Sequence, residues 1–239
     1  MKKLEDILFI TQARLNSERL PQKAVRPFAG TNITRICLDR FLRSSMIPDS
    51  QIYLSAREEE LVALGSRMGV KIFNRSEESI TDEGITIAKI YEWFDQLPFK
   101  YYVMVNACCT LLTVETLEEF THRFMESSSR GMFGVVPRKT YYWDASGKML
   151  NDWPAGKLLD TKVVEPIYEA AHCLYAGTMS DIGEGIHMGT FASKGDPELY
   201  VMKNELEAFD IDWPWQFVVA EMLYHRSKCS RVVTPCHND

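Results

Sequence analysis

Two groups of residues in this 239-residue chain have types and spacings suited to chemistry on an anionic ligand. The first is Ala13-Arg14-Leu15-Asn16-Ser17-Glu18-Arg19-Leu20-Pro21-Gln22-Lys23, directly after the apolar run Ile7-Leu8-Phe9-Ile10. Arg14 and Arg19 can each give two parallel hydrogen bonds to a phosphate, and Lys23 adds a compact charge. Ser17 and the N–H groups of a turn add neutral donors, and Asn16 tolerates the left-handed backbone such a turn needs. The set suits a nucleoside triphosphate, although a solvated basic loop would carry the same charges. The second group is Phe209-Asp210-Ile211-Asp212-Trp213-Pro214. On extended backbone, residues i and i+2 point to one side. Asp210 and Asp212 could thus hold Mg2+, which takes its remaining ligands from water and phosphates. Alternatively, Asp212 caps a helix that starts near Trp213 with Pro214 in its first turn.

The elements that must position these residues follow from hydrophobic periodicity. Strand-like runs at 7–11, 51–55, 70–73, 101–105 and 131–136 alternate with helix-like runs at 33–42, 58–68, 84–94 and 114–124. Gly69 is a stop for the second helix. This alternation predicts an α/β fold, a mainly parallel sheet with helices on both faces. Ligands of such sheets bind beyond the carboxyl ends of the strands, where the first loop lies. Arg75 follows the third strand on the same edge and could reach a phosphate or ribose. Asp82 and Thr86 come at the next helix start, Thr86 suiting a ribose hydroxyl or base edge. All three are equally the stuff of surface charge and helix-start chemistry. Asn106-Ala107-Cys108-Cys109-Thr110 ends the most hydrophobic strand and would floor the cleft. The vicinal cysteines read as small buried hydrophobes rather than a redox pair. His172 and His187 read as structural or substrate-facing.

After Pro137 the rhythm breaks. The stretch at about 138–175 is rich in Tyr and Trp and reads as a β-like arm, with Ala145-Ser146-Gly147-Lys148 as a turn. Residues 180–199 read as mostly loop, 215–224 as a helix and 231–234 as a last short strand. With 46% hydrophobic and 25% charged residues the chain has the balance of one globular domain, 1–239. A net charge of -6 argues against non-specific nucleic-acid binding. No apolar run approaches the roughly 20 residues that span a bilayer, and the N-terminus lacks a leader pattern. Six cysteines without CxxC pairs suit reduced thiols, hence a cytoplasmic protein with no membrane partner.

Taken in order, these motifs resemble the cytidylyltransferases that make CMP-activated acidic sugars, the acylneuraminate and Kdo type. Residues 13–23 fit the family frame AR-x-x-S-x-R-[LI]-P-x-K throughout. Arg75, Asp82 and Thr86 keep a family spacing, and Val105 to Leu112 stands at the family's V-x-L-Q-P-T-S-P-L-R strand end. Phe209 to Glu221 resembles I-D-I-D-x-P-x-D-F-x-x-A-E. Departures are Leu15-Asn16 and Ala24 in the first motif, the missing glutamine and arginine at 106–112, and Gln216 for an acid. The opening also resembles relatives in spore-coat polysaccharide synthesis.

The resemblance implies a three-layer, nucleotide-diphospho-sugar-transferase-like (Rossmann-like) sheet with an inserted β-rich dimerisation arm. It further implies a homodimer that uses CTP and a 2-keto-3-deoxy sugar acid, with Mg2+ on Asp210 and Asp212. Arg14 and Lys23 would act in catalysis beside the two aspartates. Ala13, Asn16, Ser17, Arg19, Arg75, Asp82, Thr86 and Asn106 would join Arg14 and Lys23 in binding nucleotide. Another nucleotide-sugar pyrophosphorylase, a glycosyltransferase on the same fold, and a non-catalytic nucleotide-binding relative are the alternatives.

Overall fold

A computed structural model describes residues 1–80, 84–151, 161–162 and 164–230, the side chains of Cys229 and Ser230 excepted. Its centre is a seven-stranded sheet of order β3-β2-β1-β4-β6-β5-β7. The strands are β1 (Ile7–Gln12), β2 (Ile52–Ala56), β3 (Lys71–Asn74), β4 (Tyr101–Val105), β5 (Met132–Arg138), β6 (Ile167–Thr178) and β7 (Glu198–Val201). β1 pairs in parallel with β2 and β4, β2 with β3, and β5 with β7. Only β6 runs against its neighbours, β4 and β5.

The helices are α1 (Ile33–Leu42), α2 (Glu59–Arg67), α3 (Ile87–Ile90), α4 (Val114–Glu126), α5 (Met179–Gly183) and α6 (Pro214–Ser230). Alternation along the strands sorts the core into two layers. Ile7, Phe9, Leu54 and Val103 pack under Phe41 of α1, Leu61 of α2 and Phe120 of α4. On the other face, Leu8, Ile10, Tyr102 and Met104 pack under Trp93 and under Met179 and Ile182 of α5. This is the three-layer arrangement expected of the alternating pattern. A satellite cluster, in which Leu20, Phe28 and Ile33 meet Ile211, Phe217 and Ala220, ties the first loop to α6.

Three expectations change. The helix expected over 84–94 is one turn, α3, followed by a 3-10 turn at Glu92–Phe94. Gly84 sits at φ +67°, and Tyr91 leaves helical geometry. The arm reading ended too late: its return leg is β6, twelve residues long and central to the sheet. Its alternation breaks at His172, where φ is +50° and the pairing with β5 slips, so the period of two that marks a strand is lost. The loop over 180–199 likewise ends in a strand, the four-residue edge β7. The arm's turn does form, one residue early: Asp144 N donates to Lys148 O and Gly147 N to Asp144 O. The strand expected at 231–234 lies outside the described residues.

Candidate active site

The first loop leaves β1 at the sheet's carboxyl edge and closes on itself. Leu15 N donates to Glu58 Oε1 at 2.7 Å, and Leu15 O accepts from Ser17 N and Gln22 N. The left-handed residue is Gln22, φ +57°, rather than Asn16. The chain reverses just after Leu20 is buried in the satellite cluster, so the turn falls there, and Asn16 stays outside the core.

The loop's cations divide between two places. Arg14 turns toward the third strand, its Nη1 donating to Ile80 O at 3.1 Å. With Arg75 it lines a cavity of about 300 Å3, bounded by Gln12, Ser79, Ile85 and Ile90. Arg75 is buried, donating from Nε to Ser79 Oγ at 3.2 Å and from Nη2 to Ser79 O. Its burial, and then the neighbouring Arg14, lower the guanidinium's pKa. Two guanidiniums beside one cavity suit a ligand rich in acceptor oxygens. Thr86 accepts from Lys89 N at 3.3 Å, the helix-start role. Asp82 lies outside the described residues.

Arg19 and Lys23 turn the other way. Asp212 Oδ1 receives Arg19 Nη2 at 2.9 Å and Lys23 Nζ at 3.4 Å, the latter pair 189 positions apart. Lys23 Nζ also donates to Ile211 O. The two motifs therefore form one site. Ile211 is fully buried in the satellite cluster, and Asp210 and Asp212 on either side of it both act on the charge of Lys23.

Asp212 is not the helix cap. Gln216 Oε1 accepts from Asp212 N at 2.7 Å and Trp213 N at 2.8 Å, reaching back as the third residue of α6. Asp212 keeps its carboxylate for Arg19 and Lys23 as a result. Glu221, which sequence reasoning met only as part of a motif, also has a task. Its Oε1 accepts from Ala29 N at 2.6 Å, fastening α6 to the far end of the first loop.

Asp210 is the unusual group. Its Oδ1 is buried without a hydrogen-bond partner. Burial, and then Asp212, push its carboxyl above the ordinary range, against the opposing pull of Lys23, His172 and Asn106. Burial tends to lower the Lys23 ammonium, but Cys108, Asp212 and Asp210 outweigh it and the net shift is upward. A divalent cation fits this donor set: hard carboxylate oxygens, one unsatisfied, beside a loop that carries Arg19 and Lys23. Among the described residues no group of three or more His, Cys, Asp or Glu side chains is placed to hold a metal. The pair would supply the protein ligands, and phosphates and water the rest.

At the end of β4, Asn106 is tied to β6 and to its own turn. Asn106 Nδ2 donates to His172 O at 3.0 Å, and Asn106 Oδ1 accepts from Cys108 N at 2.9 Å. His172 thus enters the site on β6, held in left-handed geometry of the kind that clusters at functional sites. The sequence left His172 as structural or substrate-facing, and its place beside Asn106 follows only from the pairing of β6 with β4. Burial raises the Cys108 thiol to about 11 and the Cys109 thiol well above its ordinary range, so both stay protonated and unreactive. His187 lies apart, 2.7 Å from Tyr102 Oη and stacked on Tyr91 at 4.4 Å. Burial pushes it down to about 4, a neutral structural histidine.

A family model described as cytidylyltransferase matches residues 8–228. The chain is 32% identical over 90 residues to the spore coat polysaccharide biosynthesis protein SpsF of Bacillus subtilis, covering 35% of this chain and 38% of that one. It is 24% identical over 135 residues to a pseudaminic acid cytidylyltransferase of Campylobacter jejuni, covering 54% and 57%. The matches therefore span about half of those relatives or less. Among solved structures, a CMP:2-keto-3-deoxy-manno-octonic acid synthetase complexed with CTP superposes with TM-score 0.68 at 9% identity, over 93% of this chain and 99% of the other. A 4-diphosphocytidyl-2C-methyl-D-erythritol synthase from Anaerococcus prevotii gives 0.61 at 12% identity, over 92% and 96%. At such identities these likenesses speak for the fold alone, whereas the family model extends over nearly the whole sequence: the chain belongs to the cytidylyltransferase family.

Proposed function

We propose that this chain joins CTP to an acidic sugar, a 2-keto-3-deoxy acid of sialic or Kdo type, giving a CMP-sugar and pyrophosphate with Mg2+ as cofactor. The observation that carries the reading is the meeting of Arg19 and Lys23 with Asp212 and the unsatisfied Asp210, beyond the end of β1. Cytosine as the base, and an acidic sugar as acceptor, are supported by the names of the pseudaminic acid and 2-keto-3-deoxy-manno-octonic acid enzymes.

A sugar hydroxyl oxygen would attack the α-phosphorus in line, forming an O–P bond as the bond to the bridging oxygen of the β-phosphate breaks. The leaving pyrophosphate gathers negative charge. Arg19 and Lys23 are placed to offset it, and such preorganised donors are a large part of phosphoryl-transfer catalysis. Arg14, with Arg75, would hold the other end of the nucleotide in their shared cavity. Asp210 and Asp212 would hold Mg2+, which supplies Lewis-acid polarisation and eases loss of the hydroxyl proton. Asn106 and His172 would border the reacting centre. The exposed Trp143, Leu150 and Tyr168 of the arm suit a second copy of the chain, giving a homodimer whose arm borders the partner's sugar pocket.

The test is pyrophosphate release with each of the four nucleoside triphosphates, Mg2+ and a panel of 2-keto-3-deoxy acids. Release with CTP alone, in the presence of one acid, supports the reading. Release with another base, or with a neutral sugar phosphate instead of an acid, would replace it by a different pyrophosphorylase.

A further inference from the structure

The two cations that meet Asp212 are held differently. The Lys23 side chain is 14% exposed and donates to the Ile211 carbonyl as well as to Asp212. The Arg19 side chain is 51% exposed, and among the described residues its only hydrogen bond or ion pair is the one to Asp212. An exposed pair of this kind is a weak tether. Asp212 Oδ1 is also shared with Lys23, and in the proposed reaction the same carboxylate would serve a divalent cation.

A second contact does not draw on that carboxylate. The Arg19 guanidinium carbon lies 5.6 Å from the centroid of the Trp213 ring. That is inside the roughly 6 Å at which a cation is attracted to an aromatic face, and indole is the best such face. A planar guanidinium also stacks on a ring as an ammonium does not. Trp213 is 48% exposed and belongs neither to the two core layers nor to the satellite cluster, so core packing does not account for so large a side chain here. Its backbone is fixed at both ends: N donates to Gln216 Oε1 at 2.8 Å, and O accepts from Phe217 N at 3.2 Å. The ring therefore extends from an anchored helix start, directly after Asp212.

We propose that Trp213 is a positioning residue for Arg19, its indole face keeping the guanidinium beside the phosphates of the nucleotide; this assignment rests on reading the site as one for a nucleoside triphosphate. Trp213 acts through Arg19 and not on the reacting atoms. Arginine carries rotamer entropy that is given up when it meets a ligand. A guanidinium already laid on a ring has less of it to lose, so the ring adds to affinity for the phosphates without touching them.

The test is titration calorimetry of the full chain with CTP and, separately, with CMP, Mg2+ present and sugar acid absent. The proteins are wild type, W213L, W213F, R19M and R19M/W213L, and thermal melts establish that each variant folds. W213L should weaken CTP binding by about two- to tenfold and leave CMP, which lacks the departing phosphates, unchanged. W213F, which keeps an aromatic face, should recover part of the loss. R19M should weaken CTP binding by itself, and adding W213L to it should cost nothing more, since the ring then has no guanidinium to hold. Equal weakening of CTP and CMP would mean that the ring meets the base or ribose, and an undiminished cost of W213L beside R19M would mean that it acts independently of Arg19. Either result overturns the proposal, as do unaltered CTP binding by W213L or by R19M and the absence of any recovery in W213F. A wild type that binds no nucleoside triphosphate is a different failure: it removes the nucleotide reading itself, and the proposal with it.

Discussion

Replacing Asp210 by asparagine should make the ligand-free protein more stable while removing its activity. Asp210 Oδ1 is buried and unpaired, and its carboxyl is pushed upward by burial and by Asp212. A raised carboxyl binds its proton more tightly in the fold than in the unfolded chain. Its ionised form therefore destabilises the native state at neutral pH, and the deficit shrinks as pH falls through the folded-state pKa. Asparagine keeps a polar atom at that position, so what the substitution removes is the buried charge, which costs more to bury than a neutral polar atom. Asn106 and Lys23 return part of that, so removing the charge should leave a net gain of about 1 kcal/mol. In a chain of this size that raises Tm by about 2–4 °C.

The assay is a pair of thermal melts, wild type and D210N, at pH 7 and pH 4, without and with Mg2+ and CTP. The variant should melt higher at pH 7, and the gap should narrow at pH 4. Added Mg2+ and CTP should raise the wild-type midpoint by mass action and move D210N far less. Turnover should fall by about a thousandfold or more, as when a key electrostatic group is removed. A variant that melts lower than wild type at pH 7, or that gains as much from Mg2+ and CTP, would refute the reasoning.

Other consequences follow from single contacts. Lys23→Met should lower pyrophosphate release by about 100- to 1,000-fold, with CTP affinity measured alongside to separate binding from turnover. Gln216→Ala removes the cap on α6 and should cost about 1 kcal/mol in urea unfolding, while Gln216→Glu, able to accept the same two N–H bonds, should cost less. His187, held near 4 in the fold against an ordinary 6.5, leaves the unfolded chain to take up its proton first. Stability should therefore fall as pH drops from 6.5 toward 4, by roughly 3 kcal/mol at most. His187→Phe should flatten that slope in urea midpoints, and an unchanged slope would assign it elsewhere.

How much of this was legible in the sequence depended on whether the signal was local. The strands of the first half announce themselves as apolar runs, and Gly69, at φ +78°, ends α2 where expected. The pairing of residues 13–23 with 209–212 was readable as chemistry, because phosphate and cation needs select those residue types. The division of labour inside the pairing was not. Arg14 and Arg19 look alike in sequence, yet one serves the Arg75 cavity and the other Asp212. Gln216 stands in sequence as a departure from an acidic position, whereas its carbonyl does the capping that Asp212 would otherwise do. His172 stood in the sequence as structural or substrate-facing, and its position beside Asn106 was not legible, because the alternation of β6 is interrupted at that residue.

The central claim is that CTP is cleaved between its α and β phosphorus atoms and that the α-phosphorus passes to a sugar acid. Phosphorus NMR of the reaction with CTP, Mg2+ and the panel of acids reads this directly. One new phosphodiester resonance, with the chemical shift of a CMP ester, should grow in step with pyrophosphate. CTP that binds with Arg19- and Lys23-dependent affinity but stays intact with every acid, or that yields CDP and phosphate, would contradict it.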